Sequence, residues 1–413
     1  MIRRSLMQHA LSTIVTVLSV ALASGLVMAV IAVNAQAYDA FTGGETGFDA
    51  VVGARGSQLQ LVLNTVFHLE TSPGNIPWSI YVALQHDPRV ALAVPYAIGD
   101  NYLGYRIVGT TDDIFTQFEY REGERFQVQP GGRVFNSEAV HEAVVGSFVA
   151  AKTGLQVGSV FNPFHGLDYD PNMRHDEHFT VVGILKPTNS PSDRVIWIPI
   201  EGVYRMKGHV LRGSGKEYTP QAGQAIPDED KEVSAVMLKL TSPIAGFTLD
   251  QTINRQGKVA TLAWPVSRVM ADLFDKIGWM SKILTVVAML VVLVATGSIL
   301  ASIYNTVNER RREFAIQRAL GASQAAVFSS VVTEAAAIAG VGSLLGLLVY
   351  LAIMYGSAWV IRAQTGVVLY PWHFDFVLIV VPVAVTALGA AAGMIPAIRA
   401  YRTEVASNLT PLS

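Results

Sequence analysis

The sequence predicts an α-helical membrane protein with four transmembrane helices and a large α+β extracytoplasmic domain inserted between helices 1 and 2. Three observations predict it. Of the 413 residues, 51% are hydrophobic and only 15% are charged, against about 25% charged in a soluble globular chain. Uncharged apolar runs of bilayer length, about 20 residues, occur in four places, with a stretch of mixed texture between the first and the second. Arginines gather in alternate flanks of those runs, which sets an orientation. The net charge of −2 excludes a dominant polybasic surface and with it a nucleic-acid partner. The absence of cysteine excludes disulfide scaffolds, thiolate metal centres and thiol catalysis.

Residues 1–10 form a cytoplasmic N-terminus carrying Arg3 and Arg4, and 11–38 are the first span and the start of a stalk. Arg3, Arg4 and the later Ala35-Gln36-Ala37 imitate a secretory signal. The apolar stretch between them, however, far exceeds the about 7–15 residues of a signal core. An uncleaved anchor is therefore expected. Residues 39–278 form the outer domain, with strand-like runs RVALAVPYAIG, YRIVGTT, FTVVGIL, RVIWIPI and SAVMLKL bounded by turn residues. His141 to Leu155 has helical spacing and ends beside a glycine. Arg212 to Lys231 reads as a polar loop, and 264–282 as an amphipathic stalk helix feeding span two.

Spans two, three and four follow at 283–308, 334–361 and 376–398, separated by 309–333 and by an outer loop at 362–375, and the chain closes with a tail at 399–413. Arg310, Arg311, Arg312 and Arg318 lie between spans two and three, and Arg399 and Arg402 follow span four. With Arg3 and Arg4 these fall on one side, so both termini are expected in the cytoplasm of a bacterial inner-membrane protein. Trp279, Tyr370 and Trp372 suit the opposite interface. Gly340, Gly342, Gly346, Gly389 and Gly393 place small residues where helices pack closely, which suits a lever better than an aqueous pore. Spans one, two and four carry no ionisable residue in their apolar cores.

The segment from Asn308 to Ala336 carries the most information. A charged helix end runs into an apolar stripe of Phe314, Ala315, Ile316 and Leu320; Gly321 permits a break, and Ser323 can cap the next helix. One reading is a positive-inside loop with a surface helix. The other is a coupling helix that docks a cytoplasmic partner. Glu334 is the acidic residue expected at membrane depth, either as an interfacial carboxylate or as a partner for the loop arginines.

This segment resembles the MacB/FtsX-like ABC permeases (the type VII superfamily). Their loop pattern runs R-R-x-E-[IF]-[AG]-I-x-R-A-[LI]-G-A-[ST] with a Glu in the following helix, and the matching residues are Arg311, Arg312, Glu313, Phe314, Ala315, Ile316, Arg318, Ala319, Leu320, Gly321, Ala322, Ser323 and Glu334. The order of one span, a large domain and three further spans is also theirs, and VVGARGSQLQLVLNTVFHLE and GNIPWSIYVAL are similar to a subgroup of them. The resemblance implies a MacB-like core domain and a non-catalytic permease, paired as a homodimer in the family manner with two cytoplasmic ATP-binding subunits that hold the ATP and Mg²⁺. It further implies mechanotransmission: ATP-driven motion passed to the outer domain for export, extraction, or activation of a periplasmic or lipoprotein partner. Alternatives are direct export of a small molecule or a metal such as zinc, and a membrane-tethered sensor or scaffold.

Two further motifs bear on cofactor chemistry. Gly213-Ser214-Gly215-Lys216-Glu217 lacks both the upstream glycine, replaced by Val210, and the hydroxyl after the lysine of a phosphate-binding loop. No nucleotide site is expected in this chain. His165, His175, His178 and Asp176 cluster in sequence and could hold Zn²⁺. The leading reading of the stretch is a solvated loop, with a metal contact as the alternative.

Overall fold

A computed structural model describes residues 10–42, 47–207, 209 and 226–401. In chain order its helices and strands begin with α1 Ala10–Thr42, β1 Ala50–Ala54, α2 Gln58–Thr65, β2 Ile76–Pro77, α3 Trp78–Gln85, β3 Val90–Tyr102 and β4 Tyr105–Thr110. There follow α4 Asp113–Thr116, β5 Glu142–Val145, α5 Ser147–Thr153, β6 Val160–Phe161, β7 Phe164–His165, β8 Phe179–Ile184, β9 Ile196–Pro199 and α6 Ile200–Tyr204. The remainder comprises β10 Glu232–Val233, β11 Ala235–Leu240, α7 Pro243–Asp250, β12 Ala260–Ala263, α8 Val266–Glu309, α9 Arg311–Ala319, α10 Gln324–Thr365 and α11 Val377–Tyr401. The chain divides into two compact units, one of Met1–Ala37, Ile277–Trp359 and Leu369–Ser413, the other of Tyr38–Lys276 and Val360–Val368.

The second unit is an α/β domain built on a ten-stranded sheet of order β12-β1-β11-β3-β4-β9-β5-β8-β6, with β7 also paired to β3. β4 runs parallel to β9 and β5 parallel to β8; the remaining ladders are antiparallel. Successive residues alternate between two cores. Ala50 and Val52, Ala93 and Ala97, and Ile196 and Ile198 face one; Val51, Val94, Tyr96 and Trp197 face the other. Tyr81 and Leu84 of α3, Val149 of α5 and Leu249 of α7 cover the first core. Leu61 and Val62 of α2, Ile114 and Phe115 of α4, and Val266, Val269 and Met270 of α8 cover the second. Burial on both faces explains why these strands read as near-continuous apolar runs rather than as polar–apolar alternation.

Strand β3 is the long member because it serves both halves of the sheet. Its residues up to Tyr96 pair with β11, and those from Ala97 pair with β4. The β3–β4 register shifts between Ile98 and Asp100, a bulge at Gly99 that re-aims the following side chain. Asp100 and Asn101 then pair with His165 and Phe164 of β7.

Among the described residues, the first unit contains four helices long and apolar enough to cross a membrane. Hydroxyls within them donate to carbonyls one turn back, Thr16 to Ser12 at 2.8 Å and Thr296 to Val292 at 2.8 Å, which satisfies polar groups away from water. Ser12 and Ser302 join α1 to α8 through a 3.1 Å hydroxyl pair. At 44 and 42 residues, α8 and α10 extend about 65 Å each, twice the apolar thickness of a bilayer.

One local expectation changes, one is met and one falls largely outside the described residues. His141 to Leu155 is not one helix: β5 takes Glu142–Val145 and α5 starts at Ser147. Ala143, Val144 and Val145 are completely buried, so the run satisfies a two-sided sheet position as readily as a helical stripe. The third apolar helix begins at Gln324, where Ser323 accepts the Ala326 N–H at 3.2 Å and caps it as expected, and the helix continues through the span from 334. The Arg212–Lys231 loop falls largely outside the described residues, as does Gly213–Glu217; its end folds as a short turn at Asp228–Asp230 leading into β10.

Candidate functional site

The elbow between the second and third apolar helices is built from its charges inward. α8 ends at Glu309, and the Arg310 N–H still donates to Thr306 O at 3.0 Å. From that position the Arg310 guanidinium reaches Glu313, Glu334 and the Phe314 ring. Its Nε donates to Glu313 Oε2 at 3.0 Å, its Nη1 to Glu334 Oε2 at 3.4 Å, and its plane lies 5.1 Å from the Phe314 ring centroid. Phe314 and Ala315 are buried, whereas Ile316 is 44% and Leu320 84% exposed, with Ala319 exposed between them. The stripe read as one face is therefore two. Phe314 and Ala315 fasten α9 to the bundle, and Ile316, Ala319 and Leu320 look away from it. Gly321 closes α9 at φ +102°, a conformation only glycine adopts without strain.

Behind the elbow, α10 packs at close range on α1 and α11. A Cβ at Gly342 would lie 2.7 Å from Val20 Cβ, and one at Gly346 would strike the Ser24 hydroxyl. Cβ atoms at Gly389 and Gly393 would strike Ala339 and Ala335. Gly340 has only ordinary contact with Thr386. Arg399 of α11 donates to the Tyr304 hydroxyl of α8 and lies 4.9 Å from its ring centroid. At the other end of the helices the Gln36 side chain pairs with the Tyr370 backbone, accepting its N–H at 2.9 Å and donating to its carbonyl at 3.3 Å. Trp372 donates to the Tyr355 hydroxyl at 2.5 Å while remaining 74% exposed, as an interfacial aromatic should.

A second constellation lies in the α/β domain. Asp100 is 1% exposed and meets three imidazoles: His175 Nε2 at 3.2 Å, His209 Nε2 at 3.3 Å and His165 Nδ1 at 3.5 Å. Burial alone pushes the Asp100 carboxyl up; the three facing imidazoles reverse this and hold it well below the usual carboxylate range. The Asp100 carboxylate in turn raises His165, against a smaller opposing effect of burial. The His165 loop is pinned by Asn101, whose Nδ2 stands within 3.0–3.4 Å of the carbonyls of Phe164, Gly166 and Asp168. The His175 loop is pinned in the same way by Asn162, within 2.8–3.2 Å of the carbonyls of His175, Asp176 and Glu177.

Comparison with protein-family models gives two matches: the MacB-like periplasmic core domain over residues 13–254 and the FtsX-like permease C-terminal region over residues 285–405. The first alone spans more than half of the chain. The chain belongs to the MacB/FtsX family of ABC transporter permeases. Among solved structures it is similar to the periplasmic region of MacB from Actinobacillus actinomycetemcomitans, at 12% identity and TM-score 0.34, covering 56% of this chain and 94% of that one. It is also similar to the extracellular domain of the noncanonic ABC-type transporter YknZ from Gram-positive bacteria, at 14% identity and TM-score 0.29, covering 51% and 97%. The comparison with curated proteins gave no match.

In this permease the elbow residues expected from the loop pattern lie together at one helix junction, and Glu334 is held by Arg310, one of the arginines between spans two and three. Of the four metal candidates, His165 and His175 converge. His178 is exposed and stacks near His141 at 6.5 Å between ring centroids, and the Asp176 side chain is exposed. Sequence reasoning missed Asp100 and His209. Neither lies in the His-rich stretch, and only the pairing of β3 with β7 brings Asp100 to it. The sole local hint was Gly99, a glycine inside a strand pattern.

Proposed function

We propose that this permease is the transmembrane subunit of an assembly in which a separate ATP-binding subunit docks on α9 and drives movement of the α/β domain. The observation that supports this reading is the division of α9. Phe314 and Ala315 are sunk into the bundle while Ile316, Ala319 and Leu320 offer an apolar face beside Arg311, Arg312 and Arg318. Motion delivered to that face acts on a short helix held by the Arg310–Glu334 and Arg310–Glu313 contacts, at the junction of the two long helices α8 and α10. Close glycine-mediated packing of α10 on α1 and α11 favours movement of the helices as a rigid set over opening of a pore.

On the positive-inside rule, α9 and both termini face the cytoplasm of a bacterial inner membrane and the α/β domain lies outside. Two permeases and two ATP-binding subunits complete the assembly, and ATP and Mg²⁺ belong to the latter. The work done is export, extraction, or activation of a partner beyond the bilayer. The test is ATP turnover in proteoliposomes. The permease alone hydrolyses no ATP; its complex with a cognate ATP-binding subunit does, and Leu320→Asp lowers that turnover while membrane insertion is unchanged. Turnover by the permease alone, or an unaffected Leu320→Asp complex, contradicts the proposal.

A further inference from the structure

We propose that Asp100, His165, His175 and His209 form a binding site for a divalent transition-metal ion of the Zn²⁺ class, joining three separate stretches of the α/β domain. One donor atom from each residue lies within 4.8 Å of every other. The three imidazole rings stand at the corners of a nearly regular triangle, with centroid separations of 5.3, 5.4 and 5.4 Å. Ligands held at about 2.0–2.1 Å in a tetrahedron lie about 3.3 Å from one another. Asp100 Oδ1 lies 3.2 Å from His175 Nε2 and 3.5 Å from His165 Nδ1, close to that value, and Asp100 Oδ2 lies 3.3 Å from His209 Nε2.

Hydrogen bonding among the four side chains does not account for the arrangement. His175 alone makes a hydrogen bond to Asp100; His165 Nδ1 and His209 Nε2 are buried and have no hydrogen-bond partner. Buried polar atoms without partners are rare and call for a cause. A cation at the centre of the triangle supplies one. It accepts a lone pair from each inward-facing nitrogen and balances the charge of the buried Asp100.

The surroundings are those of a prepared site. Asn101 and Asn162 hold the two loops that present His165 and His175. Glu177 accepts the Lys207 N–H at 2.9 Å through Oε1, and its Oε2 is buried 4.0 Å from His175 Nδ1. A carboxylate behind a metal-bound imidazole is the usual second partner of such a ligand. An open cavity of about 400 Å³ lined by His165, His175 and Lys207 gives an ion access. Three nitrogens and one oxygen select Zn²⁺, Co²⁺, Ni²⁺ or Cu²⁺ over Ca²⁺ and Mg²⁺, which require all-oxygen shells.

The test is calorimetric titration of the full-length permease, purified in detergent through a histidine-free tag, with ZnCl₂. The site predicts one Zn²⁺ per chain with micromolar or tighter affinity, and no displacement by excess Mg²⁺. His175→Ala and His209→Gln each weaken binding by at least about 100-fold, beyond the 10–100-fold typical of a residue behind the ligands. His178→Ala, outside the triangle, binds as wild type. Co²⁺ gives the intense visible bands of a tetrahedral site in the wild type and loses them in His209→Gln. Because His209→Gln could act through folding, its metal-free melting temperature is measured alongside: it matches the wild type, and Zn²⁺ raises the wild-type value only. Absence of a saturable Zn²⁺ site, an undiminished His209→Gln isotherm, or equal loss in His178→Ala overturns the proposal.

Discussion

Arg310 Nη1 lies 3.4 Å from Glu334 Oε2, with the two side chains only 12% and 9% exposed. The pair ties the end of α8 to the body of α10 across the whole of α9, and so holds the elbow at a fixed angle. Arg310 also binds the far more exposed Glu313, at 3.0 Å.

The two carboxylates should differ in weight. Glu334→Ala leaves a nearly buried guanidinium short of a partner and should cost about 1–3 kcal/mol of stability. Glu313→Ala, at a 52% exposed side chain, should cost at most about 1 kcal/mol. Unfolding in mild detergent measures both. A double-mutant cycle of Arg310→Ala with Glu334→Ala should show a coupling above about 0.5 kcal/mol; strictly additive losses would count against the pair.

Helix packing gives a matched comparison of two glycines. Gly346→Leu must displace Ser24, and its Cβ would also stand 3.0 Å from Ala21 O. Overpacking of that kind costs about 1–3 kcal/mol. Gly297 has nothing within 4 Å of its Cβ position, so Gly297→Leu should be neutral or slightly stabilising. Melting temperatures of the two variants settle the matter, and equal values would refute close packing of α1 on α10.

His68 should govern part of the acid sensitivity. Burial, together with the nearby Arg106 and Arg194, pushes its imidazole down to about 3 from 6.5. The folded value lies below the unfolded one, so the unfolded chain takes up the proton first as pH falls. Stability is complete above about 6.5, declines by up to about 1.4 kcal/mol per pH unit below it, and levels off near 3. His68→Asn should flatten this limb relative to the wild type in pH-dependent unfolding. Identical slopes would show that His68 does not contribute.

Some of this was legible in the chain because it depends on local pattern. Apolar runs of bilayer length, Gly321 as the helix break and Ser323 as the helix start each follow from residue type alone. β5 was not legible, because Ala143, Val144 and Val145 are buried whichever element contains them. The inward and outward faces of α9 were merged, since Phe314, Ala315, Ile316 and Leu320 are all apolar and only the neighbouring helices distinguish them. The imidazole triangle was half legible. His165 and His175 share one loop region, but Asp100 and His209 join them through strand pairing and chain return that no spacing rule encodes.

The central claim is that Leu320 lies at the docking surface for the ATP-binding subunit. The chain has no cysteine, so single cysteines report cleanly. Leu320→Cys should form a disulfide or maleimide cross-link with a cysteine-bearing ATP-binding subunit in membranes, and Trp372→Cys, at the opposite end of the helices, should not. Labelling of Leu320→Cys in intact cells by a membrane-impermeant reagent, with no cross-link to the ATP-binding subunit, would contradict the account.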